Sequence, residues 1–90
     1  MKYLLFYNPA DDVLAKAPPH FPAHSSRLDE FHQRGELLMV GTFADPQEGS
    51  MSIFKTREGA EEFAQEDPFV LNGVIESWTI REWDEVLAPA

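Results

Sequence analysis

Two ionisable residues stand where a soluble helix would normally put apolar ones. The stretch "PAHSSRLDEFHQRG" reads as a helix that begins between Pro19 and Pro22, because proline lacks an amide donor and only a first helical turn tolerates it. Gly35 supplies its C-terminal cap. At about 100° per residue, His24, Leu28, Phe31 and Gly35 share one face, so an imidazole is turned towards the interior. A second helix, "REGAEEFAQE", is capped by Thr56 and carries Ala60, Phe63 and Ala64 inward. Asp67 falls about 20° from Ala60 on the same wheel. An acid at that end is opposed by the helix dipole, which disfavours carboxylates at a C-terminus. A buried carboxylate needs a donor. An imidazole N–H supplies one, and the carboxylate in return fixes the ring tautomer and favours the imidazolium. His24 and Asp67 are therefore the candidate catalytic pair, His24 as general acid or base and Asp67 as its orienting group. Two plainer readings stand beside this one. Asp67-Pro68 is a good N-cap and first-turn pair for a short turn "PFVLN", and a histidine on an apolar helix face is commonly a satisfied core residue.

The elements that must position this pair follow from pattern. "MKYLLFYN" and "VIESWTIREW" read as outer members of the chain order and "ELLMVGTF" and "SMSIFKT" as a hairpin joined by "ADPQEG". "PADDVLAKAPP" reads as a loop. The order is β-α-β-β-α-β, which predicts an α+β, ferredoxin-like domain over residues 1–90: a four-stranded antiparallel sheet with two helices on one face. The first strand is apolar on both sides, with Tyr3, Leu5 and Tyr7 one way and Leu4 and Phe6 the other. In the last strand Trp78 and Ile80 alternate against Ile75 and Trp83. A sheet covered on one face should alternate more cleanly between apolar and polar, so the uncovered face is expected to pack against a second copy of the chain as a homodimer.

Composition narrows the partners. Sixteen acids against seven Lys and Arg give a net charge of −9, which repels nucleic acid and anionic lipid. Cysteine is absent, which excludes disulfides and thiolate chemistry and fits the cytoplasm. "YLLFY" is too short for a signal peptide or a membrane span. His20 and His24 have the spacing of two ligands on a helix, but no third ligand accompanies them, so neither metal nor organic cofactor is expected. His32 lies about 80° round from His24 and reads as solvent-facing. Arg27 lies close to His24 on the wheel and could hold an anionic substrate group. Gly41 interrupts a strand, which marks a bulge or a place where a ligand approaches the backbone. Arg27, Gly41 and Phe69 are the candidate substrate contacts, and pocket walls of Phe, Trp and Met suit a small cyclic or aromatic ligand.

The run "PAHSSRLDEFHQRGELLMVGTFADPQEGSMSIF" followed by "EEFAQEDPFVLNGVIESWTIREW" resembles the YciI-like (YCII-related) proteins over almost the whole chain. The specific features are the helical histidine, the glycine-terminated first helix, the strand ending in glycine, and "DPF". Members carry Gly-Pro where this chain has Gly41-Thr42. The resemblance implies a protomer of the dimeric α+β barrel superfamily and a His–Asp active-site pair at His24 and Asp67. A related member is similar to a dehydrochlorinase, and the wider superfamily includes muconolactone isomerases and cofactor-free monooxygenases; with the inward-facing pair, the expectation is a small cofactor-independent enzyme of lyase or isomerase type. The alternative is a non-catalytic dimeric binding or accessory module in which His24–Asp67 is a structural bond.

Overall fold

The computed structural model describes residues 1–89. Four strands, β1 (Lys2–Pro9), β2 (Leu37–Thr42), β3 (Ser50–Phe54) and β4 (Ile75–Trp83), form one antiparallel sheet in the order β2-β3-β1-β4. Between them run α1 (Val13–Lys16), α2 (Phe21–Gln33), α3 (Arg57–Glu66) and α4 (Pro68–Leu71). This is the ferredoxin-like α+β arrangement, with α2 and α3 packed on one sheet face.

Local chemistry sets the boundaries. Pro22 sits in the first turn of α2, and Gly35 follows its end at φ 78°, a left-handed conformation that costs glycine no steric clash. Thr56 accepts the Gly59 amide at 3.0 Å and starts α3. The segment expected to be a loop differs. Val13–Lys16 makes one helical turn and Pro18–His20 a 3-10 turn. Val13 is buried there, and Lys16 pairs with Asp12 at 3.5 Å one turn earlier.

The core lies between this layer and the sheet. Phe31 from α2, Phe63 from α3 and Phe54 from β3 are fully buried, and the Phe31 and Phe63 rings meet edge to face at 5.2 Å. Fully burying a phenylalanine contributes roughly 1.5–3 kcal/mol, so this trio, with Leu5 and Leu37, clamps both helices to the sheet.

Two irregularities redirect side chains. Pairing shifts between Asn8 and Pro9, so that Ser77 faces Asn8 but Ile75 faces Pro9. Strict alternation would have put Ile75 on the uncovered side with Trp83. The extra residue turns it into the core, where it is 7% exposed. A similar shift between Leu37 and Met39 buries Leu37 while Met39, opposite Ile53, stays on the other face. That other face carries Leu4, Phe6, Met51 and Ile53 in register, partly exposed and apolar. Among the described residues no helix is long and apolar enough to cross a membrane.

Candidate active site

Asp67 is the point where the elements converge. It ends α3 with an extended backbone (φ −66°, ψ 127°) and simultaneously N-caps α4, accepting the Phe69 amide on Oδ1 at 3.1 Å. The acid at the wrong end of one helix is therefore at the right end of the next. Its side chain is fully buried and accepts hydrogen bonds from α4, α2 and β1. His24 Nδ1, from α2, lies 2.8 Å from Oδ1 and 3.0 Å from Oδ2. The Tyr7 hydroxyl, from β1, donates to Oδ2 at 2.6 Å. Three donors thus saturate one carboxylate, which is what an otherwise costly buried anion requires.

The same contacts orient His24. With an ionised carboxylate against Nδ1, that nitrogen carries the proton, and Nε2 is left as the acceptor in the neutral ring. Nε2 makes no hydrogen bond among the described residues. The ring stacks on Phe69 with centroids 3.8 Å apart and planes 6° from parallel, and meets the edge of Phe63 at 6.3 Å. Phe69 therefore fixes the pair twice, through its amide and through its ring. The phenol of Tyr7 is held far above its ordinary value of about 10, first by burial and then by the charge and hydrogen bond of Asp67. Tyr7 is neutral at any working pH and acts here as a donor.

His24 and Tyr7 open onto a cavity of about 310 Å³ between the helices and the sheet. Its walls are mostly apolar, with Val13, Phe21, Leu28, Val40, Phe63 and Ile75 prominent. That size lies at the lower end of small-molecule sites. Phe69 and Gly41 also line it. A Cβ placed on Gly41 would enter open space, and the strand bulge lies at Leu37–Met39 instead, so no bulge or backbone crowding requires glycine at position 41.

Arg27 lies elsewhere. Its Nε and Nη2 donate to the Phe63 and Glu62 carbonyls at 3.3 and 2.8 Å, and its guanidinium lies over the Phe31 ring at 4.8 Å. It is not among the cavity-lining residues. The last turn of α3 has no basic residue of its own, and Arg27 supplies that charge from the neighbouring helix. A residue near His24 on the wheel was thus drawn to a carbonyl cluster rather than to the cavity. His20 ends the 3-10 turn before α2, and His32 is exposed with Nδ1 2.8 Å from the Leu37 carbonyl. Among the described residues no three His, Asp or Glu side chains are grouped so as to hold a metal ion.

Tyr7 is the member of the site that pattern reading missed. It was legible as a strand residue sharing a face with Tyr3 and Leu5, with no side assigned to the helices. The available signal was that a phenol on a buried face needs a hydrogen-bond partner, and Asp67 was the buried group in need of one.

Fold and site together define a ferredoxin-like domain with a buried carboxylate–imidazole pair at a small apolar cavity. Residues 1–84 match the YCII-related domain, and the chain belongs to that family. It is 32% identical to Protein YciI of Escherichia coli and of Shigella flexneri, each alignment covering 96% of this chain and 99% of the relative. Among solved structures it is similar to 5-chloro-2-hydroxyhydroquinone dehydrochlorinase (TftG) from Burkholderia phenoliruptrix AC1100, in complex with 2,5-dihydroxybenzoquinone. That likeness has a TM-score of 0.71 at 19% identity, covering 93% of this chain and 94% of the other, and it establishes the shared fold.

Proposed function

We propose that this chain is a small-molecule enzyme of lyase or isomerase type in which His24 moves a proton on a compact ring substrate and Asp67 orients and charges His24. The observation that carries the reading is the division of labour on one imidazole. Nδ1 is fixed by a fully buried carboxylate, while Nε2 is left free on a ring that lines an apolar cavity. A neutral ring in that state accepts a proton at Nε2, and the resulting imidazolium is stabilised by Asp67. The proton then returns to another atom of the substrate, or leaves to water as a leaving group departs. Gly41 and Phe69 are assigned to the substrate pocket. The dehydrochlorinase with the same fold supports the choice of a ring substrate, as does the apolar lining.

The chain pairs as a homodimer through the uncovered sheet face in this proposal, supported by Leu4, Phe6, Met51 and Ile53 lying together there. A cytoplasmic location belongs to the same proposal, and the cysteine-free composition supports it.

The test is turnover. Chloride release and solvent-deuterium incorporation are measured for chlorinated and hydroxylated six-membered ring compounds, beginning with 5-chloro-2-hydroxyhydroquinone. At least one compound is turned over by the wild type, and His24→Ala lowers that rate by about 10²–10⁴-fold while the fold persists. An unchanged rate in a folded His24→Ala protein sinks the mechanism. A wild type inert towards the whole set, with His24→Ala costing only about 1–3 kcal/mol of stability, assigns the pair a structural role.

A further inference from the structure

Besides the Tyr7 phenol, two polar side chains in the described structure are buried, Asp67 and Ser52, and their situations are opposite. Asp67 is saturated by three donors. Ser52 is 6% exposed, lies in the middle of β3 between Val40 and Leu5 on the helix-covered face, and its hydroxyl has no hydrogen-bond partner among the described residues. No fully occluded side-chain oxygen or nitrogen there lacks a partner. The Ser52 hydroxyl therefore keeps an opening, and the space it borders is the cavity lined by His24. A hydroxyl in the sheet floor that bonds to no protein group contributes nothing to the fold through hydrogen bonding, and it is available to a ligand in the cavity.

The charge of the lining adds a second constraint. None of the residues around the cavity is Lys, Arg, Asp or Glu; its only ionisable members are His24, whose Nδ1 is occupied, and Tyr7, which stays neutral. Arg27, the nearby cation that could have received an anionic group, is committed to the α3 carbonyls. A carboxylate entering this space would lose water and meet no Lys or Arg in the lining, and the one lining group able to become a cation, His24, already has its charge balanced by Asp67.

We infer that the cavity selects an uncharged, oxygen-bearing ring, such as a phenol or cyclic ketone, and that Ser52 is a specificity-determining residue that hydrogen-bonds a ring oxygen while another position of the ring faces His24. This rests on the reading of the cavity as a ligand site and sharpens it, separating a phenolic substrate from a carboxylated lactone of the same size.

The experiment is an NMR titration of the folded protein with a matched pair of probes, resorcinol and 3,5-dihydroxybenzoate, which differ by one carboxylate. Resorcinol shifts the Ser52 and His24 amides saturably at millimolar concentrations, and 3,5-dihydroxybenzoate binds about 100-fold more weakly or not at all. Ser52→Ala weakens resorcinol by about 2- to 12-fold and does not lower the melting temperature, because the hydroxyl has no partner in the free protein. Equal binding of the two probes, no binding of resorcinol, or a Ser52→Ala protein that binds resorcinol unchanged overturns the inference. Binding is read without turnover, so loss of the His24 mechanism and loss of this selectivity are distinguishable: each is decided by its own assay.

Discussion

Replacing Tyr7 with phenylalanine removes one oxygen from the carboxylate cluster and leaves the ring packing in place. The missing bond is short, 2.6 Å, charged at the acceptor, and buried at both ends. A hydrogen bond of that kind contributes roughly 1.5–3 kcal/mol, and Asp67 Oδ2 would keep only the longer contact to His24 Nδ1 at 3.0 Å. At neutral pH the variant is therefore less stable by about 1.5–3 kcal/mol, or a melting temperature lower by about 4–8 °C for each of those kilocalories. The pH dependence is more diagnostic than the size. The folded-state pKa of Tyr7 is raised above the unfolded value of about 10, so the phenol's contribution is fully present below pH 10 and is lost as pH rises beyond it. The unfolded wild type releases that proton and the unfolded variant has none to release. The wild-type advantage consequently shrinks by about 1.4 kcal/mol per pH unit, and the two stability curves converge towards pH 11–12. Denaturant unfolding of both proteins from pH 7 to 11, at one protein concentration, reads this difference while every group they share cancels. Curves that stay parallel to pH 11 would refute the argument, as would a Tyr7 phenolate absorbing at 295 nm in the native protein.

Two further outcomes separate structural from ligand roles. Arg27→Ala removes two bonds to the end of α3 and the cation over Phe31, and lowers stability by about 1–3 kcal/mol in denaturant unfolding. Resorcinol affinity is unchanged by it, and a matching loss of affinity would return Arg27 to the ligand site. Phe6→Glu places a charge in the middle of the uncovered sheet face, opposite Met51 and Thr79. Sedimentation equilibrium shows a dimer for the wild type and a folded monomer for the variant; an unchanged mass in Phe6→Glu would place any self-association on another surface.

The parts of this molecule legible in the sequence are those governed by local rules. Pro22, Gly35 and Thr56 bracket two helices because each residue's backbone or side chain leaves few alternatives there. The 3.6-residue period alone aims His24 and Asp67 inward, and the structure brings them within 2.8 Å. What was not legible depends on partners distant in sequence. The shift at Asn8–Pro9 that buries Ile75 is a property of two paired strands, and no alternation within β4 announces it. Arg27 was placed correctly on its helix, but its bonds to the α3 carbonyls were not legible, because those carbonyls lie 35 residues or more away in the chain. Val13–Lys16 has neither a capping side chain nor enough length for a periodic signal, and it folds against a surface that exists only once the core has formed.

Asp67 joins two helices, saturates a phenol and an imidazole, and has no exposed surface. Folding alone therefore places a strong demand on this position, whatever happens to the chemistry. Under the proposed mechanism, a variant that had lost its chemistry would still need this acid in order to fold. His24 stands under a different constraint, since Oδ1 and Oδ2 would still hold the Phe69 amide and the Tyr7 hydroxyl without it. In that mechanism the aspartate answers to two demands, folding and proton transfer, and the histidine mainly to the second.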